Sequence, residues 1–339
     1  MTPAPDTLIE IKDLKKTFSI ATGLFSKKLR LTALENINFS VKKGETLGIV
    51  GESGCGKSTL GRCILQLIAP DEGQVLWLGQ DLTKVPAEEM RKRRADLQII
   101  FQDPLASLNP RMTVGEIIED PLRTLKPELK KEERRARVFK IMEAVGLLPE
   151  MINRYPHEFS GGQAQRIGIA RALITEPKLI VCDEPVSALD VSIQAQILNL
   201  LSELKDEFGL TLIFISHNLS VVRHVSDRIL VLYLGRIVEL ATGDEIYEDP
   251  KHPYTRALLT AVPIPDPKLA RLRNIDALKG EIPSPINPPS GCTFRTRCRF
   301  AQPRCAEIRP PLETLEGGRL VACIRWQEIE APKEAVLGA

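Results

Sequence analysis

The chain has 339 residues, with 46 Lys and Arg against 44 Asp and Glu, and a net charge of +2 at neutral pH. That length allows two or three structural units with ample core, and the balanced charge gives no reason to expect nucleic acid or an acidic partner. No apolar run approaches the roughly 20 residues that span a bilayer, and the first residues show no leader pattern. The expectation is a soluble intracellular chain, in which disulfides are unexpected and clustered cysteines are first read as metal ligands.

Residues 8–82 read mostly as strands. "LIEIKDL" from Leu8 and "NINFSV" from Asn36 alternate apolar and polar positions, and "GQVLWLGQDL" from Gly73 closes a hairpin-like unit. Within this region "ETLGIV" runs into a glycine-rich loop and then the helical "KSTLGRCILQLI". Residues 86–176 are helix-rich and charged; Val138, Ile141, Met142 and Val145 fall at helical spacing, with mixed charges on the opposite, solvated face. The unbroken apolar run "KLIVCDEP" suits a strand buried on both faces of a parallel sheet. It is followed by a helix striped with Ile193, Ile197, Leu200, Leu204 and Phe208, and by a second buried strand, "TLIFISH", which completes a βαβ unit. "RILVLYLGRIVEL" reads as a hairpin turning at Gly235. After Asp249 the chain becomes proline-rich, and "EIPSPINPPSG" excludes helix and central strand.

The stretch Gly51–Thr59, "GESGCGKST", fits G-x-x-x-x-G-K-[ST] between a predicted strand and a predicted helix, the context a phosphate loop requires. Gly51, Gly54 and Gly56 let backbone N–H groups face phosphate oxygens, Lys57 can reach the β- and γ-phosphates, and the Ser58 hydroxyl can ligate Mg²⁺. Glu52, Ser53, Cys55 and Thr59 complete the loop, Cys55 as filler. Asp183 and Glu184 end the buried strand. An aspartate there can hold the Mg²⁺ shell, and the glutamate beside it can orient and deprotonate a water aimed at the γ-phosphate; taken alone, the pair could equally be an acidic helix start before Pro185.

The segment "FSGGQAQRIGIARAL", Phe159–Leu173, preceding "CDEP", resembles the signature of the nucleotide-binding subunits of ATP-binding cassette (ABC) transporters, with Phe159 in place of the usual leucine. Ser160, Gly161, Gly162 and Gln163 open a helix, so a hydroxyl, bare N–H groups and the helix dipole converge on an anion; a plain serine cap would not explain two glycines. The resemblance implies further roles. Gln102 is the glutamine that touches Mg²⁺ and the attacking water, Ser187–Asp190 lies at a dimer seam, and His217 is the switch histidine. Phe18 stacks on adenine, with Phe25 nearby as an alternative. The implied fold is an α/β P-loop NTPase (RecA-like) cassette over residues 8–250. It would carry an antiparallel β subdomain, a helical signature subdomain over about 103–177, and a small cysteine-containing extension over 251–330. The implied activity is ATP hydrolysis, with ATP sandwiched between one subunit's loop and the other subunit's signature.

"FQDPLASLNPRMTVGEII", "RYPHEFSGGQ", "HPYTRALLTAVP" and the tail from Gly280 narrow the resemblance to the oligopeptide and dipeptide importers, the dipeptide-type F subunit being nearest. It implies a paralogous ATPase as heterodimer partner, two permeases and, through them, an extracytoplasmic peptide-binding protein. The chain would lie peripherally at the cytoplasmic face of the cell membrane, with residues 103–146, for example Ser107 or Leu108, facing a permease. The same ATPase type serves nickel, glutathione and opine import. A DNA-repair or chromosome-maintenance ATPase shares the nucleotide head, but only about a hundred residues separate loop and signature here, with no heptad array or basic stripe.

Four cysteines close the chain as C-x₅-C-x₆-C-x₁₇-C: Cys292, Cys298, Cys305 and Cys323. None of the four histidines lies among them, and the close pairs of structural zinc sites are absent. Four thiolates at this wide spacing suit a [4Fe–4S] cluster stabilising a tail with little apolar material, with zinc as the alternative and reduced, metal-free cysteines as a further one; Arg295, Arg297, Arg299, Arg304 and Arg309 either offset the cluster charge or are solvated surface residues. Members of the resembled family with this tail are understood to carry such a cluster.

Overall fold

The computed structural model describes residues 6–20, 29–261 and 280–329; Phe25 lies outside them. In chain order the elements are β1 (Thr7–Ile20), β2 (Leu29–Lys42), β3 (Thr46–Val50), α1 (Lys57–Ile64), β4 (Glu72–Trp77), β5 (Gln80–Asp81), α2 (Ala87–Arg93) and β6 (Leu97–Ile100). Then come α3 (Val114–Leu125), α4 (Lys131–Ala144), α5 (Gly161–Leu173), β7 (Leu179–Asp183), α6 (Val191–Phe208) and β8 (Thr211–Ser216). The remainder is α7 (Leu219–Val225), β9 (Arg228–Tyr233), β10 (Arg236–Thr242), α8 (Gly243–Glu248), α9 (Pro253–Thr260), α10 (Arg304–Glu307), β11 (Glu313–Thr314) and β12 (Leu320–Val321). The described residues form two units: 6–8, 41–46 and 77–215, and 9–20, 29–40, 47–76, 216–261 and 280–329.

In the first unit β7 lies between β6 and β8 and runs parallel to both, in register Ile180↔Gln98 and Ile180↔Leu212. Every residue of β7 and β8 is buried, which is why their sequences run apolar without alternating. Around this sheet α3, α4 and α5 make the helical part. A full capping box starts α3 at Thr113 and Glu116, and Val138, Ile141 and Met142 turn the apolar side of α4 inward. Glu119 holds Arg123 of its own helix and Arg134 of α4, at 3.1 and 2.8 Å.

In the second unit β3 runs parallel to β9, with Ile49 opposite Leu230. The hairpin β9–β10 turns at Leu234 and Gly235, both in the left-handed region, as the sequence predicts. The C-terminal segment is not a loose appendage: β12 pairs antiparallel with β10, Glu239 opposite Val321, and β11 pairs with β12. Beneath this edge Glu239, with no exposed surface, accepts from Arg319 at 2.6 Å and from the N–H groups of Lys251 and His252 at 2.8 and 3.0 Å.

Candidate functional site: the nucleotide motifs

The phosphate loop belongs to the second unit. β3 delivers the chain to Gly51, and α1 begins at Lys57, with Gly56 as its N-cap at φ 106°. A Cβ at Gly56 would sit 2.5 Å from the Ala33 carbonyl, and one at Gly51 would sit 2.2 Å from the Leu232 carbonyl. Both glycines are thus demanded by close backbone approach as well as by conformation. Ser53 and Gly54 are exposed at the loop's crest, and Ser58 and Thr59 are half-buried in the first turn of α1. The Lys57 side chain is buried and arches over the loop, its Nζ donating to the carbonyls of Gly51 at 2.7 Å and Glu52 at 3.0 Å. Cys55 fills space beneath, as expected; burial pushes its thiol up to about 11, and its carbonyl accepts the Gly235 N–H at 2.8 Å. Together the loop offers N–H groups, a helix N-terminus and an ammonium to an anion.

Two further predicted residues lie in this unit. Phe18 on β1 is half-buried, with Lys16 Nζ 5.6 Å from the ring centroid, so it is not a core residue. His217 follows β8 directly and is exposed; Asn218 next to it caps α7 by accepting from Ser220 N–H at 2.9 Å.

The remaining nucleotide motifs belong to the first unit. Asp183 is the buried last residue of β7. Glu184 then takes a left-handed φ of 49°, and its backbone is fixed on both sides. Its N–H donates to Ile215 at 3.0 Å, and its carbonyl accepts from the Ser187 N–H and hydroxyl at 3.2 and 3.0 Å. A non-glycine residue in this region costs about 1–3 kcal/mol, and such strain concentrates at functional sites. The Glu184 carboxylate accepts from Gln102 Nε2 at 3.2 Å, so two predicted catalytic residues 82 positions apart meet. Ser160 and Gln163 form a reciprocal capping box at the start of α5, at 3.3 and 3.1 Å. Gly162 has a reason within the chain: a Cβ there would lie 2.6 Å from Ile193 Cγ2.

The position given for Leu108 and the expected metal site need correction. Leu108 is buried, so it is not a free contact point; Ser107 is half-buried, its carbonyl accepting from Arg171, while Leu105 and Phe101 are exposed. The four cysteines line one small cavity with Phe294, Pro310 and Ile324, and all are free thiols. Yet among the described residues no group of three or more His, Cys, Asp or Glu side chains is placed to hold a metal ion. The expected iron–sulfur or zinc site therefore does not fit. Burial pushes the thiols of Cys298 and Cys323 up to about 11 and 12. Of the arginines expected to offset a cluster, Arg309 pairs with Glu35 and Arg304 with Glu328, whereas Arg295, which donates to the Ser290 carbonyl, lines the cavity beside the cysteines. The premise of a tail short of core also fails. Phe294, 2 % exposed, packs edge-on to Tyr233 and Tyr254 with both centroids 5.3 Å away.

Sequence reasoning set Arg297 among the residues offsetting a cluster and missed its place at the phosphate loop. Its side chain is 4 % exposed, and its guanidinium grips Glu52 of the phosphate loop with both terminal nitrogens, at 2.6 and 3.0 Å. No local pattern links positions 245 apart.

These motifs and folds define a class, the ABC ATPases. A family model described as "ABC transporter" matches residues 34–187. The solved "Dimeric Structure of MJ0796, a Bacterial ABC Transporter Cassette" is 33% identical at TM-score 0.62, covering 69% of this chain and 98% of that one. A second, cbiO1 from Clostridium perfringens, part of the ABC transporter complex cbiONQ, is 27% identical at TM-score 0.65, covering 79% and 98%. A further model, "Oligopeptide/dipeptide transporter, C-terminal region", matches residues 238–305. The oligopeptide transport ATP-binding protein OppF of Salmonella typhimurium is 62% identical over 90% of this chain and 92% of its own length. AppF of Bacillus subtilis, which carries the same description, is 53% identical over 94% and 97%. The chain belongs to the oligopeptide transport ATP-binding proteins of the ABC transporter family.

Proposed function

We propose that the chain is the ATP-binding and ATP-hydrolysing subunit of an oligopeptide importer. The reading rests above all on the loop Gly51–Thr59, where glycine-dictated backbone, the start of α1 and the arched Lys57 assemble a phosphate cradle. Kinship with oligopeptide transport ATP-binding proteins supports the substrate class.

In this reading Gly51 to Thr59 bind the nucleotide phosphates and Phe18 stacks on adenine. Ser58, Gln102 and Asp183 serve Mg²⁺, which neutralises phosphate charge as ATP is cleaved. Glu184 takes the proton of the attacking water, Gln102 orients that water, and His217 senses the γ-phosphate. Ser160 to Gln163 present their helix start to ATP held by a paralogous subunit, so ATP closes the dimer and hydrolysis releases it. No helix among the described residues is long and apolar enough to cross a membrane; the chain would act peripherally beneath two permeases fed by an extracytoplasmic peptide-binding protein. Exposed Phe101 and Leu105 are positions from which crosslinks to a permease are expected.

Assembly with the two permeases and the paralogous ATPase in lipid discs tests the reading. Binding protein loaded with a peptide should stimulate ATPase activity, and the unloaded protein should not. Equal stimulation by a nickel- or glutathione-binding protein would overturn the substrate class; no stimulation by any of them would overturn the importer role.

A further inference from the structure

Arg297 and Phe294 lie one turn apart in the C-terminal segment, the Arg297 N–H donating to the Phe294 carbonyl at 3.0 Å. Both bear on the same residue of the phosphate loop. Arg297 grips the Glu52 carboxylate with both terminal nitrogens, one to each oxygen, a bidentate contact with directional strength as well as charge. Phe294 braces Tyr254, and the Tyr254 hydroxyl accepts the Glu52 N–H at 3.0 Å. Tyr254 is in turn held by Tyr233, with ring centroids 4.6 Å apart. The Glu52 carbonyl is one of the two acceptors that seat Lys57. The C-terminal segment thus fixes side chain and backbone of the residue on which Lys57 rests.

We infer that Arg297 is a positioning residue for nucleotide binding: through Glu52 it holds the phosphate loop and couples the order of the C-terminal segment to occupancy of the nucleotide site. The inference rests on the loop Gly51–Thr59 being the nucleotide site. A chain whose C-terminal segment is displaced from Glu52 would bind nucleotide less tightly, and by reciprocity bound nucleotide would tighten the segment. A carboxylate at the second position of the loop would by itself repel phosphates; the guanidinium neutralises it where water is largely excluded.

The test uses the full chain and Mg-ADP. Arg297→Met should weaken Mg-ADP binding by about tenfold, within the range of ordinary coupling between sites, and should speed amide hydrogen exchange over residues 51–56 in the absence of nucleotide. Arg297→Lys should recover part of both effects. Glu52→Gln combined with Arg297→Met should be no worse than Arg297→Met alone, because the two act through one contact. In the unmodified chain, Mg-ADP should slow exchange over residues 292–299, a readout that needs no variant to fold. Unchanged affinity and loop exchange in Arg297→Met, additive losses in the double variant, or no response of residues 292–299 to Mg-ADP would each overturn the coupling. Lys57→Ala separates the two readings: if it leaves Mg-ADP affinity intact, the nucleotide site is elsewhere, while loop exchange without nucleotide still reports on the clamp.

Discussion

Gln102 Nε2 donates to Glu184 Oε2 at 3.2 Å, joining the loop after β6 to the residue after β7. The bond places an amide that can also face water against the carboxylate proposed to deprotonate it. Replacing Glu184 by Gln keeps an oxygen acceptor for Gln102 but removes the base. Single-turnover hydrolysis by the assembled complex should therefore fall by ~10²–10⁴-fold, with nucleotide affinity spared. Hydrolysis above a tenth of the parent rate, with the partner's site inactivated, would remove Glu184 from the role of base. Gln102→Ala should slow the same step by less.

The loop Gly51–Thr59, the strand end at Asp183–Glu184 and the helix start at Ser160 were legible in the sequence because each is a local pattern with a local physical cause; the reciprocal cap between Ser160 and Gln163 was not read there. The buried strands β7 and β8 and the turn at Gly235 were legible for the same reason. Contacts that join distant positions were not. Arg297 looks like any arginine in a basic stretch until Glu52 is placed against it, and Phe294 like a stray aromatic until Tyr233 and Tyr254 surround it. The four cysteines misled because spacing says which thiols can be near one another, not whether they converge with the geometry a metal needs.

Glu239 and Arg319 form a buried pair that ties β10 to the C-terminal segment, with side-chain exposures of 0% and 6%. Removing one partner of such a pair leaves an uncompensated charge, at a cost of about 3–5 kcal/mol. Glu239→Ala also frees the N–H groups of Lys251 and His252, so thermal melting should shift down by several degrees and proteases should remove the C-terminal segment first. Melting within a degree of the parent would show that the pair contributes little.

His252 caps α9, its Nδ1 accepting the Tyr254 N–H at 3.0 Å. Burial, and then the nearby Arg256 charge, push its imidazole from the ordinary 6.5 down to about 3. The unfolded chain takes up this proton as pH falls through 6.5, whereas the folded chain resists until about 3. The stability His252 contributes is therefore complete above pH 6.5 and is lost progressively below it, by up to ~1.4 kcal/mol per pH unit. His252→Asn keeps a cap acceptor without a titrating group. Chemical denaturation between pH 7.5 and 5.5 should show a steeper loss for the parent than for this variant; equal slopes would mean the imidazole does not stay neutral on folding.

Gly162 carries two demands that a single substitution confuses. The proposed function puts its N–H near a nucleotide held by a paralogous subunit, while within its own chain a Cβ would lie 2.6 Å from Ile193 Cγ2 on α6. Gly162→Ala should therefore destabilise the isolated chain by about 1–3 kcal/mol through overpacking; loss of function in that variant alone would say nothing about nucleotide in the partner. Ile193→Ala removes the obstructing methyl. In the double variant Gly162→Ala/Ile193→Ala, Cβ at 162 has room, so much of the fold penalty of the first change should be relieved, giving a non-additive cycle. What remains is the effect of a methyl group on the face offered to the partner. ATP-dependent association with the paralogous subunit should stay weakened in the double variant while nucleotide binding at this chain's own Lys57 returns to the parent value. Full recovery of association would assign Gly162 to packing against α6 alone; additive destabilisation would show that α5 and α6 do not approach as closely as described.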